Sequence, residues 1–187
     1  MSAVLTPPAV KLLTAAEFAK QFSHLRMELV RGLPVETPMP DFRHGKACAM
    51  MTYHLVAYTE SQDLGHVMGN DTFVKVATNP DTLRGGDVLF VGYERLPKGE
   101  IPPGVLDVIP ELVVEVVSPS NLWTGLFTKV DEYLAAGVKV VVILDGDSRT
   151  ASTYRPNVVQ EIFRVTDTLT IPDVLPGFSV PVAKLFG

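Results

Sequence analysis

The chain has 187 residues, 47% of them hydrophobic and 20% charged, a formal net charge of −5 and a single cysteine. That length closes a core as one domain, 1–187, without disulfides or a structural metal, and the hydrophobic share excludes a mainly disordered chain. The acidic balance excludes a general coater of polyanions, because non-specific nucleic-acid affinity comes from neutralising phosphates, so contact with DNA would need a local basic patch.

The lone Cys48 permits no intramolecular disulfide and no cysteine-based zinc site, which favours a reducing cytoplasm. No apolar run approaches the roughly eighteen residues of a membrane helix. The start at Met1 lacks the charged end and long apolar stretch of a signal peptide.

Thr14 followed three positions later by Glu17 reads as a capping box opening a short helix, part of an N-terminal helical extension over 1–26. Met27 to Gly32 and Leu33 to Thr37 read as two short strands around a glycine turn. From about Arg43 to Asp63, Ala47, Met50, Met51, His54, Leu55 and Tyr58 recur at helical spacing and line one buried face, with Gly65 after the stop. Strands are expected over His66–Met68, Asp71–Ala77 and Asp87–Val91, then a Pro- and Gly-rich loop from Pro97 to Pro110. Glu111 to Val117 is a nearly continuous apolar run, as in a strand covered on both faces. A helix from about Asn121 to Ala136 stops at Gly137, and Val138 to Leu144 forms a second central strand. If those two strands are parallel neighbours, their crossover is right-handed. Thr150–Tyr154 and Val158–Val165 form a hairpin turning at Pro156 and Asn157. The tail, ending in a short helix over Val182–Phe186, is expected to pack on the sheet edge. The class is α/β with an α+β tendency: a mixed central sheet flanked by helices.

Three residues stand where this pattern does not want them. Glu115 interrupts an apolar strand, and an unpaired buried carboxylate costs several kcal/mol, roughly, after relaxation. It reads either as a glutamate satisfied by a nearby arginine or as a metal-binding or catalytic group. Asp87 opens the run Val88–Val91 beside Gly85 and Gly86, either as a turn aspartate at a strand end or as a second carboxylate of a hard-cation site. Lys129 shares a helix flank with Leu126 and Tyr133, so it either snorkels to solvent or delivers its ammonium to those two carboxylates. His44, near Arg43 and Lys46, could contact an anion at the exposed start of the long helix. Glu28 either enters the site or pairs with Arg26 or Arg31. His54 reads as a packed core histidine, and His24 and His66 have no ligand-like spacing. Ser118 and Ser120 lack the partners of a serine hydrolase, and no Gly-rich phosphate loop is present.

Several runs are more specific than any carboxylate pair. They are Pro110 to Ser120 (Pro-Glu-Leu-Val-Val-Glu-Val-Val-Ser-Pro-Ser), Lys129, and Glu132 to Val138. Glu28 to Gly32, Arg43-His44-Gly45, Arg84-Gly85-Gly86-Asp87 and Leu175 to Phe178 support them. From about Met27 to Phe186 the chain resembles the Uma-type restriction endonucleases, a bacterial branch of the PD-(D/E)XK superfamily. The resemblance implies a restriction-endonuclease-like core over about 27–186 and phosphodiester hydrolysis with Mg2+ or Mn2+. Asp87, Glu115 and Lys129 match its catalytic positions. Asp87 and Glu115, with Glu28 as a further acidic position, match the metal site, and His44 and Arg84 are candidate substrate contacts. Gly86 replaces the usual proline and Val117 the usual strand lysine, so the third role falls to Lys129. The implied partner is DNA, and cutting both strands is most simply done by a homodimer. The alternative expectation is a catalytically inactive nuclease-fold protein that binds DNA or a protein partner.

Overall fold

A computed structural model describes residues 11–99, 101–105, 107–118 and 123–187. The elements in order are α1 (Ala15–Phe22), β1 (Met27–Val30), β2 (Leu33–Glu36), α2 (Phe42–Ser61), β3 (Gly65–Ala77), β4 (Thr82–Gly92) and β5 (Leu112–Val116). They continue with α3 (Trp123–Ala136), β6 (Val140–Asp145), β7 (Thr150–Arg155), β8 (Val158–Phe163), β9 (Thr168–Thr170), β10 (Ser179–Pro181) and α4 (Ala183–Phe186). The expected start of α3 at Asn121, with Ser120 and Leu122, lies outside the described residues.

Local chemistry accounts for the boundaries. The Thr14 hydroxyl accepts from the Glu17 N–H while the Glu17 carboxylate accepts from the Thr14 N–H, closing a full capping box on α1. Asp41 caps α2 by accepting from the His44 N–H at 2.8 Å. Arg31 (φ 50°) and Gly32 (φ 78°) make the two-residue turn between β1 and β2, whose twist needs positive φ at both positions.

The main sheet runs β2-β1-β4-β5-β6-β7-β8, with β3 paired to β4. β5 and β6 are parallel neighbours, Val114 opposite Val142, and α3 crosses between them. The other pairs described are antiparallel. The mixed α/β class is as expected.

Strict alternation divides the core. Val88, Phe90, Leu112, Val114, Val116, Val142 and Leu144 face α2 and the tail, whereas Leu89, Val91, Val113, Val141 and Ile143 face α3. A smaller cluster of Phe18, Leu29 and Leu83 holds α1 against β1 and β4. The tail covers a sheet face and does not sit at the edge. Leu169, Ile171, Leu175, Val180, Val182 and Leu185 are all fully buried, and that face would otherwise be only partly shielded by α2. The two strands expected around residue 70 are one strand, β3, interrupted by a bulge between Gly69 and Thr72. No helix among the described residues is long and apolar enough to cross a membrane.

Candidate functional site

β4 is longer than expected, and Asp87 lies inside it, not at its end. Gly85 and Gly86 look like turn punctuation in sequence, but here they are strand interior. A Cβ on Gly85 would sit 3.1 Å from the Asp71 carbonyl oxygen, so glycine is what lets the bulge of β3 come close. Asn70 and Asp71, both at positive φ, occupy that bulge opposite Asp87, since Gly69 pairs with Val88 and Thr72 with Gly86.

β4 also changes partners at this point. Leu83 faces Leu29 of β1 and Val88 faces Val114 of β5, and side chains serve the backbone between them. The Gly85 N–H donates to Glu28 Oε1 at 3.0 Å, and its carbonyl accepts from Lys129 Nζ at 3.1 Å. Asp87 Oδ2 accepts the Val116 N–H at 2.7 Å. Buried backbone groups need partners. The fork in the sheet therefore calls for polar side chains in its interior.

Those side chains converge. Lys129 Nζ lies 2.8 Å from Glu115 Oε2 and 3.0 Å from Glu28 Oε1. Leu126, Val130 and Tyr133 bury their stripe of α3 on the sheet, which aims the neighbouring lysine inward. Tyr133, one turn on, donates its hydroxyl to Glu115 Oε1 at 2.9 Å. Arg84 bridges Glu28 (2.7 Å) and Glu132 (2.6 Å). His44 Nε2 approaches Asp87 Oδ2 at 3.2 Å, so its ring addresses the carboxylate, and its helix terminus is already closed by Asp41.

Glu115 is 3% exposed, Glu28 6% and Asp87 9%. Burial raises the Glu115 carboxyl most strongly, Lys129 pulls it down, and the charges of Asp87 and Glu28 raise it again, to about 7. Burial also raises Glu28, but Lys129 and Arg84 outweigh it and leave that carboxyl below its ordinary value. For His44, burial works downward and is overcome by Asp87, so the imidazole is raised. Asp71 is raised by burial and by Asp87. Burial opposes the Lys129 charge, but Glu115 and Glu28 more than compensate and keep it a cation.

A cleft of about 480 Å³ opens over Glu28, His44, Asp71, Asp87, Glu115 and Lys129. All six expected site residues therefore border or enter one region, Arg84 included, although Arg84 already spans two carboxylates. Glu28 has both oxygens engaged, Oε1 by Gly85 and Lys129 and Oε2 by Arg84, so it braces the site. Glu115 likewise has both oxygens engaged, by Lys129 and Tyr133, and Asp87 uses Oδ2 toward Val116 and His44; these two carboxylates are the hard oxygen donors beside the braced Glu28 that line the cleft. Hard carboxylate oxygens on a shared cleft are the donor chemistry that Mg2+ or Mn2+ takes, so these residues fit such an ion.

Four residues of the region escaped the sequence reading. Asp71 was assigned only to a strand, although the glycine–Asn–Asp run at that point marked the bulge. Tyr133 belongs by spacing to the face of α3 that covers the sheet, and no sequence signal distinguishes a core tyrosine from one whose hydroxyl serves a carboxylate. Glu132 pairs with Arg84 across 48 positions. Ser118 lines the cleft with a buried Oγ that has no partner among the described residues. Glu111 lies elsewhere, accepting from the Gly92 N–H at 3.0 Å and pairing with Arg95 at 2.8 Å.

Residues 15–183 match the family model Uma2, described as "Putative restriction endonuclease". A crystal structure of a putative nuclease belonging to DUF820, from Anabaena variabilis ATCC 29413, superposes with a TM-score of 0.81 at 20% identity. The match covers 93% of this chain and 97% of that one. At that identity the likeness establishes the fold. No curated protein matches the sequence.

Proposed function

The chain belongs to the Uma2 family of putative restriction endonucleases, and on that premise we propose that it is a metal-dependent endonuclease that hydrolyses DNA phosphodiester bonds with Mg2+ or Mn2+. The observation that carries this reading is the convergence of Glu28 (β1), Asp87 (β4), Glu115 (β5) and Lys129 (α3) at one fork in the sheet, around a cleft. The backbone groups of the fork need a few polar partners, but three buried carboxylates and a partly buried lysine from four elements beside an open cleft are a costlier assembly than those bonds require.

Asp87 and Glu115 would hold the cation. When bound, it supplies a water of lowered pKa and offsets charge on the phosphate. Lys129 and Tyr133 each donate to one oxygen of Glu115, which fixes the plane of that carboxylate. Lys129 has its three donors engaged by Glu115, Glu28 and Gly85, so it would act as a fixed positive charge toward the negative charge that develops on the phosphoryl oxygens. Glu28, locked by Arg84, keeps that ammonium in place. His44 holds Asp87 from the opposite side. A symmetric pair of chains would present two such clefts to the two strands of a duplex, and a monomer in light scattering at working concentration would remove that part of the proposal.

A labelled duplex tests the reading when binding and cleavage are followed together in Mg2+, Mn2+ and chelator. Cleavage confined to the metal-containing samples is the expected result. Binding without cleavage in every metal would assign the chain to DNA binding on a nuclease scaffold.

A further inference from the structure

His44 and Cys48 stand four positions apart on α2 and so share a face, and Asp87 of β4 lies against that face. The His44 Nδ1 is 3.5 Å from Cys48 Sγ and its Nε2 is 3.2 Å from Asp87 Oδ2. The two contacts use different ring nitrogens; taking one donor atom from each residue, a nitrogen, the sulfur and a carboxylate oxygen lie within 4.8 Å of one another. The trio lies on the α2 side of Asp87, whereas Glu115 and Lys129 meet on the α3 side of the sheet. It is also reachable. Cys48 and Asp87 line an open groove of about 900 Å³ along α2, and His44 and Asp87 border the cleft already described.

We propose that His44, Cys48 and Asp87 form a second cation site, selective for a borderline divalent ion such as zinc or cobalt, next to the hard-oxygen pair of Asp87 and Glu115. Thiolate and imidazole suit zinc and cobalt and disfavour magnesium, which wants oxygen ligands. Donor atoms around a tetrahedral zinc lie roughly 3.3–3.7 Å apart, given metal–ligand lengths of about 2.0–2.3 Å. His44 turns one ring nitrogen to Cys48 and the other to Asp87, so with the three donors within 4.8 Å a shared cation requires rotation of the His44 side chain to bring one nitrogen to it. The cation takes one ring nitrogen of His44, and the Cys48 thiol proton leaves to solvent as the sulfur–metal bond forms. The fourth position stays open to water through the groove. The sequence argument against a cysteine-based zinc site counted cysteines, whereas the fold supplies the other donors from a histidine and an aspartate. Because Asp87 belongs to both donor sets, a cation held here competes for the carboxylate that the proposed nuclease centre uses. The inference stands on this geometry whether or not the chain cleaves DNA.

The test is cobalt(II) titration of the reduced, full-length protein, watched for a thiolate-to-cobalt charge-transfer band in the near ultraviolet. The chain has one cysteine, so any such band reports Cys48. The band should saturate near one equivalent, be displaced by zinc, persist in excess magnesium and vanish in Cys48→Ser. His44→Ala should weaken cobalt binding at least roughly tenfold, the effect of losing one ligand. Absence of the band in the wild-type protein would overturn the proposal, and so would a band unchanged in folded His44→Ala.

Discussion

Glu115 divides its two oxygens between Lys129 and Tyr133, and each partner predicts a different loss. Tyr133→Phe leaves Oε1 buried without its donor and should lower stability by about 1–2 kcal/mol in urea denaturation. An unchanged midpoint would mean that water replaces the hydroxyl. Lys129→Ala removes the fixed charge and should lower turnover more than metal affinity, whereas an unchanged rate would make the lysine structural only. The raised Glu115 carboxyl, about 7 against an ordinary 4.5, sets a pH dependence of the metal-free protein. A carboxyl raised by folding contributes stability fully below about 4.5 and loses that contribution as pH rises through about 7. His44, also raised, acts in the same direction above its ordinary 6.5. Glu28, lowered by its partners, contributes above 4.5 and loses that contribution as pH falls below it, so it does not mask the effect. Melting temperature in chelator should therefore fall between pH 5 and pH 8, with magnesium restoring it most at the upper end. A flat profile in chelator would contradict the buried-charge picture.

At the level of elements, β3 and β4 meet at two glycine contacts of different severity, Gly85 at the site and Gly65 at the far end of the pair. A Cβ on Gly65 would meet the Val91 carbonyl oxygen at 2.2 Å and Gly92 Cα at 2.8 Å, both backbone atoms that cannot swing away. Gly65→Ala should cost about 2–3 kcal/mol. Gly85→Ala presses on the Asp71 backbone at 3.1 Å, a clash a small bulge shift relieves, so it should cost about 1 kcal/mol while disturbing activity disproportionately. Equal destabilisation by the two variants would show that the bulge is not a separate, adjustable feature. The elements themselves were mostly legible in sequence, because capping residues, alternation and the helical stripe of α2 are local signals. The full length of β4 was not. Its interior Gly85 leaves room for the bulge of β3 and Gly86 for the Leu89 and Val113 side chains, requirements visible only once those neighbours are placed.

For the whole molecule, the candidate site is a consequence of topology. β4 must leave β1 and join β5, and the fork exposes backbone donors and a cleft where buried carboxylates become useful. Glu115, Asp87 and Lys129 were legible as residues out of place in their elements, and the family resemblance matched them, with Glu28, to one site. The pairing partners were not legible, because Glu28 meets Arg84 across 56 positions and the His44–Cys48 face meets Asp87 only after α2 docks. The tail's place over a sheet face was equally hidden, since its alternating apolar residues fit an edge or a face alike. The most direct test of the account is cleavage of supercoiled plasmid by the wild-type protein and by Glu115→Gln, each in magnesium, manganese and chelator. The account predicts metal-dependent nicking that the variant loses by roughly a hundredfold or more, with a melting temperature close to wild type. Cleavage that survives Glu115→Gln, or no cleavage by folded wild-type protein in either metal, would contradict it.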